Sequence, residues 1–135
     1  MKCIIPCSGF IIFSQDKTKT VLVETHMGNL SYPKGKRKKG EIYMETALRE
    51  LEEETGLTED DIDIIKDVFL DELSNKSNPS VRYFLAYIKD EKYKFIFDSE
   101  ELMDVEWYDR ENILLFNNIK NSRKLILNEA LTILT

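Results

Sequence analysis

The stretch that most restricts this chain runs from Glu45 to Gly56 and reads ETALRELEEETG. Its residues through Thr55 are good helix formers, and Gly56 stands where a helix would end. At about 100° per residue, Met44, Leu48, Leu51 and Thr55 share one narrow arc suited to a core. Glu50, Glu53 and Glu54, at spacings of three and four, share another arc. Arg49 is four residues from both Glu45 and Glu53, so helical spacing predicts that it lies beside both. A helix gains nothing from three like charges so close together. Either this is a solvated acidic face, the usual meaning of a glutamate run, or the face holds something cationic.

The residues just before the helix bear on that choice. SYPKGKRKKGE (31–41) puts Lys34, Lys36, Arg37, Lys38 and Lys39 around Gly35. Mg²⁺ prefers carboxylate oxygens and keeps water and substrate phosphates in its shell. A basic, glycine-containing loop offers donors to such phosphates. A divalent cation with phosphates in its shell, lying between loop and helix, would account for both charge clusters.

The rest of the chain limits what could carry such a site. Its 135 residues suit one domain, 1–135, and 42% hydrophobic with 33% charged residues is ordinary globular composition. No repeat or linker divides it. A net charge of -6 speaks against a general nucleic-acid coat, so DNA is not an expected partner, though a local basic loop can still contact a phosphate chain. Cys3 and Cys7 are too close for an ordinary disulfide and, with one histidine, too few for zinc. They read as buried thiols of an intracellular protein. No signal-peptide pattern or membrane-length apolar run is present, so the expected location is cytoplasmic, with no membrane partner.

SGFIIF (8–13) and TVLVET (20–25) read as paired strands, and the glycine- and proline-bearing residues 26–40 as a loop. Residues 63–73 read as a strand whose pattern also permits helix, 81–89 and 105–109 as strands, and 74–80 as a turn. Residues 122–134 carry a helical stripe at Leu125, Ile126, Ala130, Leu131 and Ile133. Such an order implies an α/β fold with a mixed sheet between helical layers.

Gly35, five residues, Glu41, seven residues, then Arg49-Glu50-Leu51-x-Glu53-Glu54-x-Gly56-Leu57 resembles the complete Nudix box, here 35–57. The resemblance implies the Nudix fold, an α/β/α sandwich around a mixed sheet, and hydrolysis of a diphosphate linked to another group. It implies Mg²⁺ as cofactor, with Mn²⁺ as its substitute. By position, Glu50, Glu53 and Glu54 would bind the metals together with the backbone carbonyl of Lys34. Arg49 would hold the glutamates, Glu41 would support the loop, and Gly35 and Gly56 would serve the box structurally.

Outside the box, CSGFIIF, YPKGKRKKGE, SVRYFLAYIKD and SEELMDVEW are similar to stretches of the asymmetric dinucleoside tetraphosphate hydrolases of that family. This second resemblance implies a dinucleoside polyphosphate substrate, phosphate contact by Lys34, ligand contact by Tyr83 and a further catalytic role for Glu101. The chain departs from it at Lys36, a position often histidine in those hydrolases, which is expected to contact substrate all the same. Against ligand contact, Tyr83 and Tyr87 alternate on one strand and suit core packing equally. His26 reads as a surface residue and Trp107 as core. The lysine cluster also suits an RNA 5′ end or a diphosphoinositol polyphosphate. The third alternative is a non-catalytic Nudix domain that senses a nucleotide, although such domains usually lose a box glutamate.

Overall fold

The computed structural model describes residues 4–74 and 76–134. Its centre is a parallel pair, β1 (Cys7–Phe13) beside β6 (Pro79–Ile88), in register from Cys7↔Val81 to Phe13↔Tyr87. β5 (Ile62–Leu73) runs antiparallel on the far side of β6. β2 (Lys19–Thr25) meets β1 only at Phe13↔Thr20 and then diverges. Its two edges are taken by β3 (Leu30–Ser31) and β7 (Leu102–Asp109), while β1 is paired by β4 (Lys34–Lys36). The sheet is therefore mixed, and it splays open where β4 enters.

Side chains alternate across β1, and each set builds its own core. Phe10 and Ile12 pack with Ala47 and Leu51 of helix α1 (Tyr43–Thr55). Ile11 and Phe13 pack with Ile126, Leu127 and Ala130 of helix α3 (Asn121–Leu134), which follows the short helix α2 (Arg110–Ile113). Helices on both faces make the expected α/β/α arrangement.

Several local expectations need correction. Residues 26–40 are not all loop, because they contain β3 and β4; both are too short to show alternation in sequence. Residues 62–73 form a strand, but a bulge shifts its register between Ile64 and Phe69, with Asp67 at φ 61°. The bulge breaks the period of two, which is why the sequence alone also permitted helix. The buried face of α3 is Arg123, Ile126, Leu127 and Ala130, whereas Leu125 is 62% exposed. An interior arginine rotates that face away from the one its apolar residues suggest. Cys7 is a half-buried free thiol, and Cys3 lies outside the described residues. No helix among the described residues is long and apolar enough to cross a membrane.

Candidate active site

Helix α1 starts at Tyr43, two residues earlier than its composition suggests. Ile42 has no capping oxygen, so Glu45 reaches back and accepts the Ile42 N–H at 2.9 Å. That contact takes Glu45 away from Arg49, correcting the expected pair. Glu41 takes its place. Arg49 Nε donates to Glu41 Oε2 at 2.7 Å and Nη2 to Oε1 at 3.0 Å, a two-pronged charge-assisted pair. Glu41 also accepts the Lys38 N–H at 2.8 Å and the Thr46 hydroxyl at 2.9 Å. Arg49 above all, then the Lys38 amide, holds its carboxyl down to about 2. One side chain thus ties the basic loop to the helix.

The same guanidinium orders the acidic face. Arg49 Nη1 donates to Glu50 at 2.9 Å and to Glu53 at 3.2 Å, and Nη2 donates to the Lys36 carbonyl at 2.9 Å. Glu54 points elsewhere, its Oε1 accepting the Lys34 N–H at 3.0 Å. Burial pushes the Glu54 carboxyl up to about 7 against the lowering effect of that amide. Burial likewise raises Glu50, with Arg49 opposing. Glu53, half exposed, lies at the open edge of the cluster.

Glycine at 35 is a steric necessity. A Cβ there would fall on the Glu50 carboxylate, so β4 can approach the helix only without a side chain. Gly56 ends α1 at φ 84°, donating its N–H to the Glu52 carbonyl at 2.8 Å, and a Cβ there would come within 2.8 Å of the Tyr93 hydroxyl.

These donors suit a hard divalent cation. Each of Glu50, Glu53 and Glu54 gives one oxygen to a protein donor, and among the described residues its second oxygen has none. No three acidic, histidine or cysteine side chains among the described residues already surround a common point. The carboxylates are instead turned toward Arg49 and the Lys34 amide.

Other expected site residues are not brought to this cluster. Tyr83 is fully buried and donates its hydroxyl to Glu72 at 3.0 Å, so the core reading replaces ligand contact. Glu101 is exposed in the turn entering β7, with no hydrogen bond or ion pair to the box. Arg37 stacks its guanidinium over the Tyr43 ring, 5.4 Å from its centroid, instead of facing the acidic cluster. Strand alternation sends Lys34 and Lys36 to the face of β4 opposite Gly35 and Glu50. His26 is exposed, its Nε2 2.8 Å from the Ser99 carbonyl oxygen, and half-buried Trp107 packs against Phe95. Sequence reasoning missed Glu72 and Arg123, a buried pair at 3.2 Å, because neither belongs to a motif and both residue types read as surface.

The family model described as NUDIX domain matches residues 7–128, nearly the whole chain. The chain therefore belongs to the Nudix family of hydrolases, which act on phosphoric anhydride bonds. No curated protein sequence matches it. Among solved structures it resembles the Caenorhabditis elegans Ap4A hydrolase in a binary complex, at 20% identity and TM-score 0.79, covering 95% of this chain and 97% of that one. It also resembles the NUDIX domain of Shewanella oneidensis NrtR complexed with ADP ribose, at 18% identity and TM-score 0.70, over 100% and 91% of the two chains. The Escherichia coli dihydroneopterin triphosphate pyrophosphohydrolase matches at 14% identity and TM-score 0.71, over 94% and 97%. At these identities the likeness concerns the fold.

Proposed function

We propose that this protein is a Mg²⁺-dependent pyrophosphohydrolase of dinucleoside polyphosphates, with diadenosine tetraphosphate as the representative substrate. The observation that carries the reading is the set of three box glutamates, each with an oxygen that has no protein donor among the described residues, ordered by Arg49 and the Lys34 amide. Glu50, Glu53, Glu54 and the Lys34 carbonyl would hold the metal, which when bound neutralises phosphate oxygens and lowers the pKa of a water. The chain supplies the rest. Arg49 keeps Glu50 and Glu53 apart from each other's charge and fixed in direction, and Glu41 fixes Arg49. A carboxylate oxygen outside the metal's shell accepts the proton of the attacking water. The substrate reading is supported by the sequence stretches outside the box and by the fold of the C. elegans Ap4A hydrolase.

Exposed Lys36, Lys38 and Lys39 favour a second reading, an RNA 5′ end or a diphosphoinositol polyphosphate. A substrate panel with Mg²⁺ separates them: diadenosine tetraphosphate, capped RNA, diphosphoinositol pentakisphosphate, ADP-ribose and dNTPs, with products resolved by ion exchange. Diadenosine tetraphosphate is expected to have the highest kcat/KM and to give AMP and ATP. A higher value for another substrate replaces the proposed one. No turnover of any would contradict catalysis and leave a nucleotide-sensing domain.

A further inference from the structure

On the face of β4 away from α1, a cavity of about 370 Å³ opens between β3 and the segment joining α2 to α3. Its walls are tied together. The Leu30 N–H donates to the Asn118 carbonyl at 2.8 Å, and Asn118 Nδ2 donates to the Gly28 carbonyl at 2.7 Å. The lining includes Asn29, Lys34, Asn117, Lys120 and Arg123. Arg123 is only 8% exposed, and its Nε is engaged by Glu72. Its Nη nitrogens have no protein acceptor among the described residues. Glu72 is already occupied at both oxygens, by Tyr83 and Arg123 at Oε1 and Ser122 at Oε2. The ammonium groups of Lys34 and Lys120 and the side-chain amides of Asn29 and Asn117 also make no protein hydrogen bond among the described residues.

We propose that this cavity is an oxyanion subsite that receives a substrate phosphate lying beyond the hydrolysed diphosphate, which rests on the hydrolase reading above. One guanidinium and two ammoniums adjoin the space; Glu72 offsets the guanidinium, and Glu50 and Glu54 act on Lys34 from the other side of β4, so the lining itself carries cations and no carboxylate. A neutral base would leave those cations unpaired, whereas a phosphate accepts from the guanidinium fork and both ammoniums. Lys34 links the two sites: its amide holds Glu54 while its side chain lines the cavity. The proposed subsite therefore requires a chain of at least three phosphates, one of them beyond the diphosphate at the box.

Isothermal titration of the full chain with inorganic tripolyphosphate in EDTA tests the subsite without metal or turnover. Wild type is expected to bind, and exposed Lys120→Gln to weaken binding about five- to tenfold. Arg123→Lys, which keeps a cation on Glu72 but removes the fork, is expected to weaken it similarly. Lys38→Ser with Lys39→Ser is expected to leave it within about twofold. No binding, or a loss that follows Lys38 and Lys39 instead, overturns the proposal. Where diadenosine tetraphosphate is hydrolysed, Lys120→Gln is expected to raise its KM about fivefold and leave that of ADP-ribose unchanged. Equal change in both overturns the assignment. If the panel shows no hydrolysis while the titration gives the expected pattern, the hydrolase reading fails and the anion site stands.

Discussion

Arg49 and Arg123 lie on opposite faces of the same sheet, and each is bound to glutamate, but they balance their charges in opposite ways. Arg49 is shared among Glu41, Glu50 and Glu53, so its nitrogens are used and carboxylate oxygens are left over. Around Glu72 the donors are in excess: Tyr83, Ser122 and Arg123 fill its oxygens, and the Arg123 Nη nitrogens are left over. An ion pair by itself says little about function; the valences it leaves unfilled say more. Spare carboxylate oxygens suit a cation, spare guanidinium donors suit an anion, and Lys34 stands between them.

The contrast breaks most severely at Glu72. Glu72→Ala strands a buried guanidinium and is expected to destabilise the fold by about 3–5 kcal/mol in chemical denaturation. Glu53→Ala, at the exposed edge of the other cluster, is expected to cost under about 1 kcal/mol. Comparable losses would show that the two arginines are not so differently committed.

A smaller effect is expected at the close approach of β4 to α1. Gly35→Ala places a methyl group on the Glu50 carboxylate, so kcat is expected to fall about ten- to a hundredfold. The melting temperature should fall by only a few degrees, since Glu50 can swing toward solvent. Full activity would mean that Glu50 need not hold the position seen here.

How much of this was legible in sequence depended on the reach of each contact. The box is local: Gly35, Glu41, Arg49 and the three glutamates form their cluster within one short strand, the loop after it and one helix, so their spacing reveals it. Glu45 misled because helical spacing places it beside Arg49 without reporting the uncapped end at Ile42. The Glu72–Arg123 pair joins a strand to a helix 51 residues away, a proximity set only by tertiary packing. The Tyr83 hydroxyl was ambiguous for the same reason, since its partner on β5 belongs to that buried network.

A further expected effect is on the pH dependence of stability. Glu54 has its carboxyl raised by burial to about 7, above its ordinary 4.5. A raised folded pKa favours the protonated native state, so the metal-free protein loses stability on this account as pH rises from about 4.5 through 7. In EDTA, the melting temperature of wild type relative to Glu54→Gln is expected to fall by about 4–8 °C between pH 5 and pH 8. Parallel curves would remove Glu54 as the buried carboxyl responsible.

The central claim, that the free oxygens of the box glutamates serve a metal-dependent hydrolysis, is tested most directly by kcat with saturating Mg²⁺ for Glu53→Gln and Glu54→Gln. Each would remove one charged ligand of the proposed metal site and keep its shape, so each is expected to lower kcat at least about a hundredfold with an unchanged or slightly raised melting temperature. Activity within about threefold of wild type in both variants would contradict the claim.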